Sequence, residues 1–95
     1  MIGVCTYLTL TTDMAGSALG GAGWFGLGRA VVYFDHPQDV ALGHALCIDF
    51  RAADGDPASR IAVELDGASA RRLAETILAV LDSPEVRELE PSASP

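Results

Sequence analysis

Two histidines, His36 and His44, are the residues whose type and spacing best suit chemistry in this 95-residue chain. One closes the run Arg-Ala-Val-Val-Tyr-Phe-Asp-His (29–36). The other opens the run His-Ala-Leu-Cys-Ile-Asp-Phe-Arg (44–51). If these runs pair as antiparallel strands with residue numbers summing to 80, Phe34 faces Leu46, Val32 faces Ile48 and Ala30 faces Phe50. Two apolar ladders then align, and burial of one face is what pins register in a sheet. The same register sets His36 opposite His44 on that face, with Cβ atoms ~4.5–5.5 Å apart. Two imidazoles so placed can act as an acid–base pair, contact a ligand or share a transition metal. They can equally sit half-exposed beside a turn with their rings bonded to backbone, and a register shift of two residues would part them while keeping the faces.

Other side chains compete for a role. Cys5 is a candidate nucleophile if a histidine lies near it, though a strand cysteine also serves as a small buried hydrophobe. A structural zinc site wants four ligands, commonly Cys and His. Cys5 and Cys47 fall in the opposite strand phase from the histidines, as do Asp35 and Asp49, so no four-ligand site is expected and no metal ligands are assigned. Tyr7 and Tyr33 offer hydroxyl groups on that opposite face. Glu64 beside Asp66 suggests a carboxylate pair, but Asp66 reads better as a helix cap.

Trp24 and Phe25 lie in a stretch, Thr11 to Gly28, that holds six of the ten glycines. It reads as a long loop, and long loops in small domains are commonly functional. The two aromatics would then close over a ligand, a neighbouring subunit or the domain's own core. Gly21-Ala22-Gly23-Trp24-Phe25-Gly26 matches G-x-G-x-x-G in letters only, since no strand–loop–helix unit surrounds it. Nucleotide binding is not expected.

The elements that must position these residues follow from periodicity. Strands are expected at Val4–Leu10, Arg29–His36, His44–Arg51 and Arg60–Leu65. Asp66 then caps a helix from about Gly67 to Leu81, whose stripe is Ala70, Leu73, Ala74, Ile77, Val80 and Leu81. Pro84 stops it, and residues 84–95 read as a flexible acidic Pro/Ser tail. The expected fold is one α+β domain over residues 1–83: a four-stranded, mostly antiparallel sheet with one C-terminal helix on one face. The opposite face is left bare and invites a partner.

Composition narrows the classes. A formal charge of -7 opposes phosphate backbones and anionic membranes, and the six basic residues form no stripe, only Arg71 and Arg72 being adjacent. No apolar stretch approaches a ~20-residue membrane span, and the N-terminus lacks the pattern of a signal peptide. Neither nucleic acid nor membrane is an expected partner. A cytoplasmic protein with two free thiols is expected. Hydrophobic residues reach 49% with only 6% aromatic, and a small domain so apolar has reason to self-associate. A homo-oligomer and a small-molecule ligand are therefore the expected partners. No cofactor is indicated.

Cys5-Thr6-Tyr7-Leu8-Thr9, Gly23-Trp24-Phe25, Val32-Tyr33-Phe34-Asp35-His36-Pro37, His44, Ile48-Asp49-Phe50 and Ala62-Val63-Glu64-Leu65-Asp66 together resemble a set of short actinobacterial proteins that form a domain family of unknown function. The likeness runs from about Cys5 to Leu81. It implies an actinobacterial origin and no particular reaction. The family pattern starts at a Met directly before the cysteine, whereas Ile2-Gly3-Val4 intervene here, which argues against an N-terminal-cysteine mechanism. The pattern has Asn where Cys47 stands, and it includes both histidines. Three functions stay open: a small enzyme or ligand-binding protein of specialised metabolism using His36 and His44 near the glycine-rich aromatic loop, a non-enzymatic homo-oligomeric accessory module, and a transition-metal binder through the paired histidines.

Overall fold

The structure, a computed structural model, describes residues 8–90. Four strands form one antiparallel meander in chain order: β1 (Thr9–Gly20), β2 (Gly23–Asp35), β3 (Ala45–Ala52) and β4 (Arg60–Leu65). Helix α1 (Gly67–Leu81) follows, then a short helix α2 (Pro84–Leu89). The α+β class, the antiparallel sheet and the C-terminal helix are as the periodicity implies. Residues 4–7 of the first expected strand lie outside the described residues.

The β2–β3 register pairs Ala30 with Phe50, Val32 with Ile48 and Phe34 with Leu46. Leu46, Ile48 and Phe50 pair onward with Leu65, Val63 and Ile61 of β4. On β1, Leu10 faces Val32, and the Phe34 N–H donates to the Leu8 carbonyl at 3.3 Å. One sheet face is thus apolar from edge to edge. Strand sides alternate with a period of two, so Tyr33, Cys47, Asp49 and Glu64 fall on the other face.

The glycine-rich stretch from Thr11 to Gly28 is corrected: it is no loop but β1 and the first half of β2. Its small residues lack the apolar alternation of a half-buried strand, yet ladder hydrogen bonds need no side chain. The glycines serve the hairpin. Gly21 and Ala22 form the turn, and Gly23 follows at φ 118°, a backbone state that side-chain-bearing residues avoid. Gly28 sits where the β2–β3 register shifts between Leu27 and Arg29. A Cβ there would lie 2.7 Å from the Ala53 Cα.

Asp66 caps α1 as expected, its Oδ1 accepting from the Ser69 N–H at 2.7 Å. Pro84 does stop α1, but the tail expected from residue 84 is corrected as well. Ser83 accepts from the Val86 N–H, Pro84 supplies the first turn, and Glu85 and Arg87 suit the helix dipole, so Pro84–Leu89 is helical.

The core is thin. Among the described residues the buried apolar ones are Ala30, Ala45, Cys47 and Ala52, and no large side chain is fully buried. None of the α1 residues is buried. The radius of gyration is 15.6 Å, against about 12 Å for a compact globule of this length. No helix among the described residues is long and apolar enough to cross a membrane.

Gly28→Ala is expected to lower stability by about 1–3 kcal/mol through backbone overlap. Gly26→Ala, where a Cβ meets nothing within 4 Å, should stay within about 0.5 kcal/mol of the parent. Urea midpoints of the two variants check this, and equal midpoints would contradict the close approach at Gly28.

Candidate functional site

β2 ends at Asp35 and β3 begins at Ala45, so residues 36–44 connect them with a histidine at each end. Continuing the ladder brings the two together: the His36 and His44 rings lie 4.5 Å apart, centroid to centroid, tilted by 31°. His44 in turn stacks on Phe34 at 5.8 Å and 15°. The His36 backbone N–H donates to Asp35 Oδ1 at 2.7 Å, and its Nδ1 lies 3.0 Å from the Gly43 carbonyl oxygen. A carbonyl only accepts, so Nδ1 carries the proton and leaves Nε2 as the acceptor of the neutral ring. Among the described residues no group of three or more His, Cys, Asp or Glu is placed to hold a metal ion.

Glu64 of β4 organises this connection. Its carboxylate accepts from the backbone N–H groups of Gln38 at 2.7 Å, Asp39 at 3.0 Å and Val40 at 3.1 Å. Those three bonds, Gln38 first, hold the Glu64 carboxyl below the usual carboxylate range against a smaller opposing effect of desolvation. Sequence reasoning weighed Glu64 only as half of a carboxylate pair. No local signal marks it as a loop anchor, because its partners lie 24 to 26 residues away.

Beside Phe34 the apolar sheet face and α1 enclose an open cleft of about 460 Å³. Val32, Phe34, Leu46, Ile48 and Leu65 line it from the sheet, and Gly67, Ala70, Arg71, Leu73, Ala74 and Ile77 from the helix side. A cleft of this size suits a small ligand, for which pockets run ~300–1,000 Å³. The histidine pair flanks it through the His44–Phe34 stack.

The opposite face carries a polar hollow of about 320 Å³ that includes Tyr33, Asp35, His36, Cys47, Asp49, Arg60 and Glu64, so His36 borders this hollow as well as stacking on His44. Asp49 is buried and binds both Arg60 at 3.0 Å and Arg51 at 3.2 Å. Register places Arg29, Arg51 and Arg60 side by side on neighbouring strands. Like charges so opposed repel, and Asp49 offsets two of the three. Burial first, then the carboxylates of Glu64, Asp35 and Asp49, push the Cys47 thiol up, which keeps it a poor nucleophile. Burial, followed by the Asp49 carboxylate and Cys47, likewise raises Tyr33, against a lowering pull from Arg60.

Trp24 and Phe25 do not join the histidines. They sit at the turn end of the β1–β2 hairpin, where Trp24 pairs with Leu19 and Phe25 with Ala18. Twelve residues along β2 separate Trp24 from His36, about 40 Å at the strand rise. A lid from these aromatics over His36 and His44 of the same chain is therefore corrected, because the stretch that bears them is extended. Cys5 and Tyr7 lie outside the described residues. Tyr33 occupies the face opposite the cleft.

These features define a small α+β domain: an antiparallel meander, one long helix over its apolar face, and a histidine pair at one end. The chain belongs to a family of unknown function, DUF6295, whose model matches residues 4–90. No curated protein and no solved structure matches it.

Because the folded Glu64 carboxyl ionises more readily than its unfolded counterpart, its hold on the connection is complete above the ordinary glutamate range, near pH ~4.3. That hold weakens as pH falls through the lowered folded value. Protection of the Gln38, Asp39 and Val40 amides, relative to their intrinsic exchange rates, should then fall in Glu64→Gln at neutral pH, as in the parent at low pH. Hydrogen exchange followed by NMR checks this. Unchanged exchange at all three amides would remove the anchoring role.

Proposed function

We propose that this protein binds a small, mainly apolar molecule in the cleft between α1 and the sheet, with His36 and His44 meeting a polar head group. The observation that carries this reading is the cleft itself. A chain that is 49% hydrophobic leaves about 460 Å³ of apolar-walled space where a domain core would be. Arg71 stands in the lining and favours an anionic head group, while His44 beside Phe34 supplies a ring nitrogen for a hydrogen bond. The reading assigns no reaction. Catalysis by His36, His44 and Cys5 would need a substrate placed against an imidazole, and the binding site comes first. In the same reading the protein works in the cytoplasm, in specialised metabolism, and its host is an actinobacterium, the last being what the sequence resemblance implies.

Anilinonaphthalene sulfonate, an apolar fluorophore with one anionic group, is a direct probe. The expected result is saturable, blue-shifted fluorescence with one site per chain. Ala74→Phe, which fills the cleft from α1, should abolish it. His44→Ala should weaken it by about fivefold, the equivalent of one hydrogen bond. Far-UV circular dichroism of each variant guards against unfolding. Binding unchanged in Ala74→Phe would overturn the proposal.

A further inference from the structure

We infer that the cleft is completed by a second copy of this chain, whose α1 lies beside the first on the β1–β2 half of the apolar sheet face. The inference deepens the ligand-binding reading but rests on packing alone. A helix with its side chains covers ~10–12 Å, too little to reach all four strands spaced ~4.8 Å apart, even though the sheet curls enough to bring part of β1 near β4. α1 packs nearest β3, and the cleft lining draws on β2, β3 and β4 but not on β1.

The uncovered half is apolar. Leu8 and Leu10, level with Phe34 and Val32, are 62% and 61% exposed. The helix is equally short of cover: Leu73 and Ile77 of the cleft wall, and Val80 and Leu81 beyond it, stand 41–56% exposed. These six side chains leave on the order of 500 Å² of apolar surface open, at the upper end for the largest patch on a monomer. That would supply most of the ~800 Å² per partner that a standard interface buries.

What this face lacks is one more helix with an apolar flank, and what α1 lacks is a further apolar surface. A two-fold related copy answers both at once, because each protomer gives its helix and receives its partner's. A helix seated on Leu8 and Leu10 stands next to Val32 and Phe34, the β2 wall of the cleft, and so closes the cleft's open side. The binding site is then incomplete in a single chain.

Light scattering of the full chain at micromolar concentration is expected to give the mass of a dimer without any ligand. Leu10→Glu, outside the cleft lining, should weaken the dimer on the order of a hundredfold by setting a charge in the interface. Should that variant not fold, a photo-crosslinking residue in place of Leu10 in the otherwise unchanged chain keeps the test open. It is expected to join residues 67–81 of an isotopically labelled second copy. A monomeric parent protein, or crosslinks that map away from α1, would overturn the inference. The two readings fail separately. A dimer with no fluorophore site removes the ligand reading alone, whereas a monomer that binds the fluorophore removes only the dimer.

Discussion

The pairing of β2 with β3 is the constraint on which the rest of this protein depends. It lines up Phe34 with Leu46, Val32 with Ile48 and Ala30 with Phe50, and β4 inherits the pattern. A slip of one residue would turn the apolar face outward and drive Asp49 and Glu64 under the helix. Because sides alternate strictly, one pairing settles three things together. It makes the surface that α1 covers, it gathers the charged groups on the far side, and it carries the ladder on to the two imidazoles.

The two faces are stabilised by different physics. On the far side, Asp49 is buried between Arg51 and Arg60. Each guanidinium stays about half exposed, so solvent screens the attraction and the network acts more on geometry than on stability. Glu64, one row away, ties the β2–β3 connection to β4 through three backbone bonds. Those bonds hold the segment that carries His36 and His44 through its backbone amides. The helix side relies on burial instead, and burial there is unfinished. Its buried sheet members are two alanines, Ala30 and Ala52, while Leu73 and Ile77 remain about half exposed on a helix that already faces the sheet. A domain of this size has little stability to spare, so an open apolar face calls for an occupant.

The long β1–β2 hairpin separates the two ends of the molecule. His36 and His44 lie at one end, and Trp24 and Leu19 at the other, 70% and 58% exposed. The two groups cannot form one pocket within a chain; His44 stacks on Phe34 beside the cleft, while His36 also lines the polar hollow of the far face.

Much of this was legible in the sequence by itself. Strand β4 and helix α1 have the bounds that periodicity and the Asp66 cap imply. The β2–β3 register follows from matching two apolar ladders, and with it the meeting of His36 and His44. These features are legible because burial of one face writes its own period into the chain. Tertiary structure alone decided the rest. The glycine-rich stretch is a hairpin because its strands satisfy each other's backbone groups, which no side-chain pattern records. Glu64 became an anchor through partners 24 to 26 residues away. The second helix at Pro84–Leu89 rests on a serine cap that a Pro/Ser-containing tail also contains. The cleft arises from a mismatch of widths, one helix against four strands, and such a mismatch exists only once the elements are assembled in space.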